Sequence, residues 1–439
     1  YVWYRKDGER SFAMGVRQAE GEEVASYSEN FALYNAPPGT WQRMAAYFYL
    51  SPDGAEATRE AVMAFTHGDR LESLPGYKTM VDHFHISLTD RLRASGSLDT
   101  LVQELPAMKA LGLNVVALMD FHADKLHPRD PGALRLQDQK DYFEAAARHS
   151  DRDFLVIPSE EPNAYLGGHY AILTARPVFW TMVRQPDQPI VEEVAGYGRV
   201  YHAGSAADVL AMVEREDGLI WQAHPRTKGS TGYPDAIRDK DYFRSDRFLG
   251  AGFKPGMGMD LSESRLCAYR CLDLLDDMNN WTSGAGLRPK SLLADVDTYQ
   301  KQPGDDLYPN FPVNYVRLDR VPRHDESWAP LVKALRDGQY FVTTGEILFR
   351  DYAVQGAGER RTVVAEIEWT FPLDFVEVVW GDGRTTGRQV VSTTDLPPFV
   401  RHRFVIPFDA AGKDWVRFAA WDSAGNGAFV PPVRLRQKQ

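Results

Sequence analysis

Between residues 80 and 345 the chain alternates between amphipathic stretches and short apolar runs. Stretches with helical periodicity occupy 97–112, 137–150 and 205–216, and each is followed by an apolar run: NVVALMD, DFLVIPSEE and GLIWQAHP. Apolar residues at a period near 3.6 are typical of helices that bury one face, and short continuous apolar runs are typical of strands buried on both faces. This alternation predicts an α/β domain with a parallel sheet or barrel.

The two ends of the chain show a different pattern, with short alternating runs separated by turn residues. Residues 1–79 carry the turn signals KDG, APPG and SPDG between aromatic-rich runs. Residues 346–439 contain runs such as RTVVAEIEWTF, FVEVVWGDG and RHRFVIPF. Alternation at a period of two is typical of strands with one buried face. We therefore predict an N-terminal β region over 1–79, an α/β domain over 80–345 and a C-terminal β-sandwich over 346–439.

Composition limits the classes of partner. The 439 residues carry a formal net charge of −11, which argues against nucleic-acid binding because such proteins present a basic face. No run of about 18 apolar residues occurs, so we expect no membrane span. We expect a small-molecule substrate, and the sequence leaves the oligomeric state open. The chain begins at Tyr1 without a visible signal peptide, so a trimmed periplasmic or secreted form and a cytoplasmic form are both open.

Side chains that can bind metals occur where the predicted strands end. They are His83 and His85 in VDHFH, Asp120 and His122 in LMDFH, Glu160 and Glu161 in IPSEE, His224 in QAHP, Asp260 in GMD, and Asp295 and Asp297 in ADVD. The carboxyl ends of the strands of an α/β barrel meet on one face, where sites are built. His169 follows two glycines just before a further apolar run, and we expect it to point at the same centre.

The residue types at these strand ends favour a metal centre. Imidazole and carboxylate groups suit zinc, manganese or iron. A carboxylate can bridge two cations, which holds them close enough to activate one water between them. So many ionisable groups exceed what one structural ion needs, and burying them without a cation would be costly. We therefore expect at least two divalent ions.

In this order the motifs resemble those of the polymerase-and-histidinol-phosphatase (PHP) superfamily of metal-dependent hydrolases. The family's His-x-His with a following Ser/Thr-Asp pair is here HFHISLTD, its TDH is the variant MDFH, and its glutamate segment is IPSEE. A Gly-His pair, a His-Pro end and a final Asp-x-His, here ADVD, complete the set. The segment LRDGQYFVTTGEILF is similar to one in the carbaryl-hydrolase-like branch. The resemblance implies a distorted TIM-like (β/α)7 barrel, flanked by an N-terminal β region and a C-terminal β-sandwich.

The resemblance also implies ligands for two, or three, divalent ions of zinc, manganese or iron. One ion would be held by His83, His85, Glu161 and Asp295. A second would be held by Glu161 as a bridge, with His169 and His224. This chain departs from the family where members use further histidines for a third ion, so such an ion would need Asp90, Asp120, His122 or Asp297. The same departures put phosphatase activity in doubt.

The function implied is hydrolysis of a phosphoester, ester or amide bond of a small molecule by a bridging hydroxide. We expect Glu161, Asp120 and Arg226 to take part in catalysis. Arg226 lies in the glycine-rich loop HPRTKGSTG, which could close over a substrate anion. Two alternatives are open. The chain could be a binding protein that kept its metals but lost turnover, since Asp297 replaces the family's histidine. The aromatic-rich β regions could instead make it a carbohydrate or surface-interaction module.

Overall fold

A computed structural model of the chain describes most of the predicted α/β domain and of the C-terminal region. The described residues are 2–7, 11–16, 70–100, 102–121, 133–223, 225, 233–253, 272–299, 312–423 and 426–435. Of the predicted N-terminal β region, they include one antiparallel hairpin, in which Val2 lies opposite Val16. Residues 17–69 of that region lie outside the described part.

The described residues form strands and helices with the following bounds. The strands are β1 (Val2–Asp7), β2 (Ser11–Val16), β3 (Tyr77–His85), β4 (Val115–Phe121), β5 (Leu155–Glu160), β6 (Tyr170–Leu173), β7 (Phe179–Thr181), β8 (Val191–Val194), β9 (Gly198–His202), β10 (Leu219–Gln222), β11 (Phe248–Phe253), β12 (Ser291–Tyr299), β13 (Val313–Arg317), β14 (Tyr340–Thr343), β15 (Ile347–Ala357), β16 (Arg360–Trp369), β17 (Leu373–Gly381), β18 (Thr386–Ser392), β19 (Val400–Asp409), β20 (Trp415–Asp422), β21 (Gly427–Phe429) and β22 (Val433–Arg434). The helices are α1 (Leu88–Ser95), α2 (Glu104–Ala110), α3 (Ala133–Arg148), α4 (Ala206–Arg215), α5 (Tyr233–Ile237), α6 (Asp241–Arg244), α7 (272–281) and α8 (Ala329–Arg336). None of these helices combines the length and the apolar content needed to cross a membrane.

Seven strands close into a barrel. Their order is β3, β4, β5, β6, β10, β11 and β12, and β12 pairs back to β3. Five of the seven pairings are parallel, and β6 is antiparallel to both of its neighbours, β5 and β10. The parallel strands on both sides of β6 therefore point their carboxyl ends to the same face of the barrel.

The sequence predicted a distorted TIM-like (β/α)7 barrel, and this prediction is wrong. The barrel has a mixed sheet, and helices do not follow each of its strands in turn. Only residues 161–169 join β5 to β6, whereas a parallel crossover needs a dozen or more residues. The short connection therefore returns β6 antiparallel to β5. Between β6 and β10 the chain forms a three-stranded sheet, β7–β9–β8, in addition to α4.

The C-terminal strands form two layers, of which only one is a separate sheet. Strands β15, β16 and β19 make an antiparallel sheet of their own. Strand β13 pairs with β3 of the barrel, and β14, β21, β20, β17 and β18 follow in order. Aromatic rings join the layers, for example Phe349 and Phe418, whose centroids lie 5.7 Å apart. The C-terminal region predicted as a β-sandwich thus continues the hydrogen-bonded sheet of the barrel.

Alternate residues of the barrel strands face the helices outside and the interior inside. Val116 and Leu118 of β4 pack in one hydrophobic cluster with Leu92 of α1, which covers the barrel. Ala117, between them, belongs to the other cluster. Because side chains alternate across a strand, residues with the parity of Ala117 point into the barrel. Ile157 of β5 shares that parity and that cluster.

Lys290 lies directly before β12 and is buried in largely apolar surroundings. Its Nζ donates hydrogen bonds to the carbonyls of Ser245, at 3.1 Å, and Phe248, at 2.5 Å. The same atom lies 5.0 Å from the ring centre of Phe243. Burial lowers the pKa of this amine to about 7. Lys290 thereby joins the start of β12 to the turn before β11.

We expect Lys290 to make the folded state more stable as the pH rises from about 7 towards 10. In the unfolded chain the amine titrates near pH 10.4. Within this window the unfolded state binds more protons than the folded state, so raising the pH favours folding. Urea unfolding of the wild type and of Lys290→Met at pH 7 and pH 9 measures the effect. Between pH 7 and pH 9 the free energy of unfolding of the wild type should rise by about 1–3 kcal/mol more than that of the variant. An equal change in the two proteins would contradict the lowered pKa of Lys290.

Candidate metal centre

Five buried acidic and histidine side chains meet at the carboxyl ends of three barrel strands. His83 and His85 end β3, Glu161 directly follows β5, and Asp295 and Asp297 lie on β12. At most 6% of any of these residues is exposed. Since the three strands are parallel members of one closed barrel, their carboxyl ends are held near one another.

An extra residue in β3 turns both histidines into the barrel. Asp82 and Phe84 pair with two consecutive residues of β4, so His83 between them forms a β-bulge. The φ of His83 is 70°, in the left-handed region that costs most residues about 1–2 kcal/mol. The bulge shifts the alternation by one position: Phe84 packs with the outer helices, and His85 then faces inward.

Strand β12 has a matching irregularity at the same level of the barrel. Asp295 pairs with Asp82 of β3, and the next pair lies three residues further along β12 but only two along β3. Asp297 lies within this step and has a φ of 39°. The two irregular segments lie side by side, which brings His83 and both aspartates of β12 together. Bulges are frequent next to active sites because they redirect side chains.

The two consecutive glutamates at the end of β5 point in opposite directions. Glu160 forms a buried ion pair with Arg135 of α3. It also accepts hydrogen bonds from Gln139 Nε2, at 2.8 Å, and Trp180 Nε1, at 3.1 Å. These partners lie outside the barrel, and alternation along the strand directs Glu161 inward. Glu160 therefore anchors α3 and β7, and only Glu161 enters the centre.

Three ligand-type atoms converge tightly. Glu161 Oε2 lies 3.1 Å from His83 Nε2 and 3.3 Å from His85 Nε2. One ligand atom from each residue falls within 4.8 Å of the other two, and all three residues are buried. Two imidazoles and a carboxylate are donors that suit zinc, manganese or iron. His83, His85 and Glu161 could therefore hold one divalent cation.

The two aspartates of β12 approach different atoms of this group. Asp295 Oδ1 lies 2.7 Å from Nδ1 of His83, the ring nitrogen that faces away from Glu161. Asp297 Oδ1 lies 3.5 Å from His83 Nε2 and 3.7 Å from His85 Nε2. Asp297 therefore lies on the same side of the histidine rings as Glu161. Asp295 lies at the opposite side of the His83 ring.

The electrostatics of the centre favour a bound positive charge. Burial alone lowers the pKa of His83, but the three carboxylates around it outweigh burial and hold its pKa well above the ordinary value. Without a cation, a proton on His83 supplies the positive charge that these carboxylates require. A divalent cation can replace that proton, so the residues present fit a metal ion.

His169 contacts the second oxygen of Glu161. Its Nδ1 lies 3.0 Å from Glu161 Oε1. The carbonyl of His169 accepts hydrogen bonds from Gln222 Nε2, at 2.6 Å, and from the backbone N–H of Ala223, at 3.1 Å. Because β6 is antiparallel, its first residues lie at the same face as the end of β5. His169 is therefore held at the centre by its neighbour on β10.

The remaining predicted site residues lie beside the centre, on the surface of α1 or outside the described part of the chain. Asp120 accepts backbone hydrogen bonds from Ser87, at 2.9 Å, and Leu88, at 2.6 Å. It caps the start of α1 and interacts electrostatically with His85 of the centre, so its catalytic role stays a prediction. Asp90 is exposed on α1. Four further predicted site residues lie outside the described part: His122, His224, Arg226 and Asp260.

Sequence reasoning did not assign Asp82, which is fully buried directly before His83. Burial, followed by the charge of Asp295, raises the pKa of Asp82 well above its ordinary value. The available signal was an aspartate within the apolar run that precedes the two histidines. Its proximity to Asp295 depends on the pairing of β3 with β12, which only the closed barrel reveals.

Comparison with known protein families and with curated proteins finds no match to this chain. The resemblance to the PHP superfamily therefore stays a prediction made from the motifs. The geometry and charge of the residues themselves support a metal centre.

We expect the two glutamates of β5 to differ in their effect on the metal-free protein. Glu160→Gln leaves Arg135 buried without its counter-charge, which should lower the free energy of unfolding by about 3–5 kcal/mol. Glu161→Gln removes one of three carboxylates crowded around His83, so it should cost less. Urea unfolding in a chelator measures both, with the exposed Glu144→Gln as the matched control. An equal or larger loss for Glu161→Gln would show that Glu161 is mainly structural.

Proposed function

We propose that the protein is a metal-dependent hydrolase that cleaves a phosphoester, ester or amide bond of a small molecule. The placement of Glu161 is the observation that supports this most directly. Its Oε2 faces His83 and His85, and its Oε1 faces His169. A carboxylate with imidazoles at both oxygens is arranged to bridge two cations, as in hydrolytic sites with two metal ions.

The chain's own residues prepare this position in three ways. Carboxylates offset the positive charge, the bulge in β3 fixes the imidazoles, and the barrel wall excludes water from behind the site. Ions bound there supply Lewis acidity, which lowers the pKa of water and polarises the oxygen of a scissile bond. Because His83 and Glu161 are buried, charges at the centre interact through a medium of low polarity and act more strongly than in water.

The exposure of the ligand groups indicates the side from which a substrate approaches. The side chain of His169 is 21% exposed, whereas that of Glu161 is 1% exposed and that of His83 is fully buried. A substrate can therefore reach the centre from the side of His169 and the 161–169 loop. In this loop Tyr165 is 39% exposed, and its hydroxyl donates to the carbonyl of Met182 at 2.6 Å.

Turnover that depends on both a metal and Glu161 is the first test. The metal-stripped protein, supplied with Zn²⁺ or Mn²⁺, should hydrolyse members of a panel of aryl esters, amides and phosphoesters, and a chelator should abolish the activity. Glu161→Gln should lower kcat/KM by more than the about 10–100-fold typical of groups that only contact a ligand. The exposed Glu144→Gln serves as the control.

Two results would contradict the proposal. Full activity in Glu161→Gln would remove the centre from the reaction. Tight metal binding without turnover of any substrate class in the panel would instead favour a binding protein that keeps its ions. In both cases metal content must be measured for each variant, since a lost ion and a lost catalytic group lower the rate alike.

The number of bound ions is the second test. If Glu161 bridges two cations, elemental analysis should give about two equivalents for the wild type. The variant His169→Ala should keep the ion at His83 and His85 and lose the other, which leaves about one equivalent. His402→Ala, at an exposed position on β19, should keep both. A single equivalent in the wild type would show that His169 donates a hydrogen bond to Glu161 and binds no ion.

A further inference from the structure

The two aspartates of β12 are only two residues apart, yet they face opposite nitrogens of one imidazole. Asp295 lies at Nδ1 of His83, and Asp297 lies on the Nε2 side. The two nitrogens of an imidazole point away from each other across the ring. A single cation at Nε2 therefore cannot also be reached from the Nδ1 side, so the two aspartates have different roles.

We propose that Asp297 is the fourth ligand of a cation site and that Asp295 is a positioning residue that holds His83. The other ligand atoms are His83 Nε2, His85 Nε2 and Glu161 Oε2. The proposal deepens the proposed function, on which it rests only in requiring a bound cation. It differs from the ligand set implied by the resemblance, in which Asp295 binds the ion directly.

The distances from the two histidine nitrogens support the assignment of Asp297. In a tetrahedral site with ligand bonds of about 2.0–2.1 Å, neighbouring ligand atoms are about 3.3–3.4 Å apart. The two histidine nitrogens lie 3.1 and 3.3 Å from the oxygen of Glu161. They lie 3.5 and 3.7 Å from the oxygen of Asp297. These four histidine–carboxylate distances are within about 0.4 Å of the tetrahedral edge, and Asp297 adjoins the tightest group, which His83, His85 and Glu161 form.

The contact of Asp295 with Nδ1 supports a positioning role. A carboxylate that accepts the proton of Nδ1 fixes the tautomer and leaves the lone pair of the imidazole at Nε2. Asp295 Oδ1 and His83 Nδ1 form an ion pair at 2.7 Å, within the distance range of a charge-assisted contact. Asp295 thus holds the ring in the orientation that directs Nε2 at Glu161 and Asp297.

Gly252 on β11 secures the place of the Asp295 carboxylate. A Cβ added at Gly252 would lie 2.2 Å from Asp295 Oδ2 and 2.6 Å from its Cβ. Any side chain at position 252 would therefore displace Asp295, which is fully buried. The glycine leaves a space that the carboxylate of Asp295 fills beside His83.

Binding of Co²⁺ to the metal-stripped chain tests the two roles without any substrate. The visible absorption of bound Co²⁺ reports the number and geometry of its ligands, and titration gives the affinity. The variants are Asp297→Asn, Asp295→Asn and Gly252→Ala, with the exposed Asp153→Asn as the charge-matched control.

Asp297→Asn should change the absorption spectrum and lower the affinity by more than about 100-fold, because a charged ligand is lost. Asp295→Asn should keep the wild-type spectrum and lower the affinity by about 10–100-fold, the effect of losing a group that orients a ligand. Asp153→Asn should match the wild type. A changed spectrum in Asp295→Asn together with an unchanged one in Asp297→Asn would overturn the assignment.

A double-mutant comparison tests the link through Gly252 and remains informative if one variant folds poorly. Gly252→Ala should weaken Co²⁺ binding in the wild-type background, because it displaces the Asp295 carboxylate. In an Asp295→Gly background the three atoms nearest to the added methyl group, all of them in Asp295, are removed, so Gly252→Ala should have no further effect on affinity. Equal losses in both backgrounds would overturn the positioning role.

The outcomes also separate this inference from the proposed function. The expected pattern of Co²⁺ binding without hydrolysis of any substrate would contradict only the hydrolase proposal. A reversed pattern in an active enzyme would contradict only the roles assigned to the two aspartates. Failure of the wild type to bind Co²⁺ would contradict both.

Discussion

The extra residue in β3 at His83 is the constraint on which the centre depends. Without it, both histidines would keep the parity of Val81, which packs with the helices outside the barrel. The bulge places a non-glycine residue at a φ of 70°, which costs about 1–2 kcal/mol. Strained backbone persists only where surrounding contacts over-determine it. Here the contacts are the pairing with β4 on one side and the matching step in β12 on the other.

Charge is the second constraint, and it follows from the first. Once His83 is turned inward, three carboxylates surround it in a buried space, and its pKa rises well above the ordinary value. A buried group of this kind is stable only with compensating positive charge. A proton on His83 is one solution and a divalent cation is the other. Cation binding is therefore coupled to proton release, which links the centre's occupancy to pH.

The antiparallel course of β6 determines which residues share the face with the centre. In a barrel of alternating helices and parallel strands, His169 would lie at the amino end of its strand, far from Glu161. The short 161–169 connection reverses β6, so both ends of the loop reach the same face. One loop thus carries Glu161 and His169, which contact each other at 3.0 Å. The departure from the predicted fold is what brings this contact about.

The sequence by itself determined the features that depend on neighbouring residues. Helical periodicity over 137–150 and 205–216 predicted α3 and α4, and the run NVVALMD predicted β4. These signals are local, because amphipathic periods and buried runs express the burial of nearby side chains. For the same reason the sequence predicted that candidate ligands lie at strand ends. His83, His85 and Glu161 do lie there.

Only the tertiary structure decided what depends on pairing between distant strands. Register is the reason, because a shift of one residue turns a side chain to the opposite face. The bulge at His83 and the separate contacts of Asp295 and Asp297 arise from how β12 meets β3, more than 200 residues away in the chain. Sequence alone placed both aspartates at one strand end and could not assign each to a nitrogen of His83. Asp120 likewise lies at the end of β4 as predicted. Its carboxylate accepts hydrogen bonds from backbone N–H groups at the start of α1.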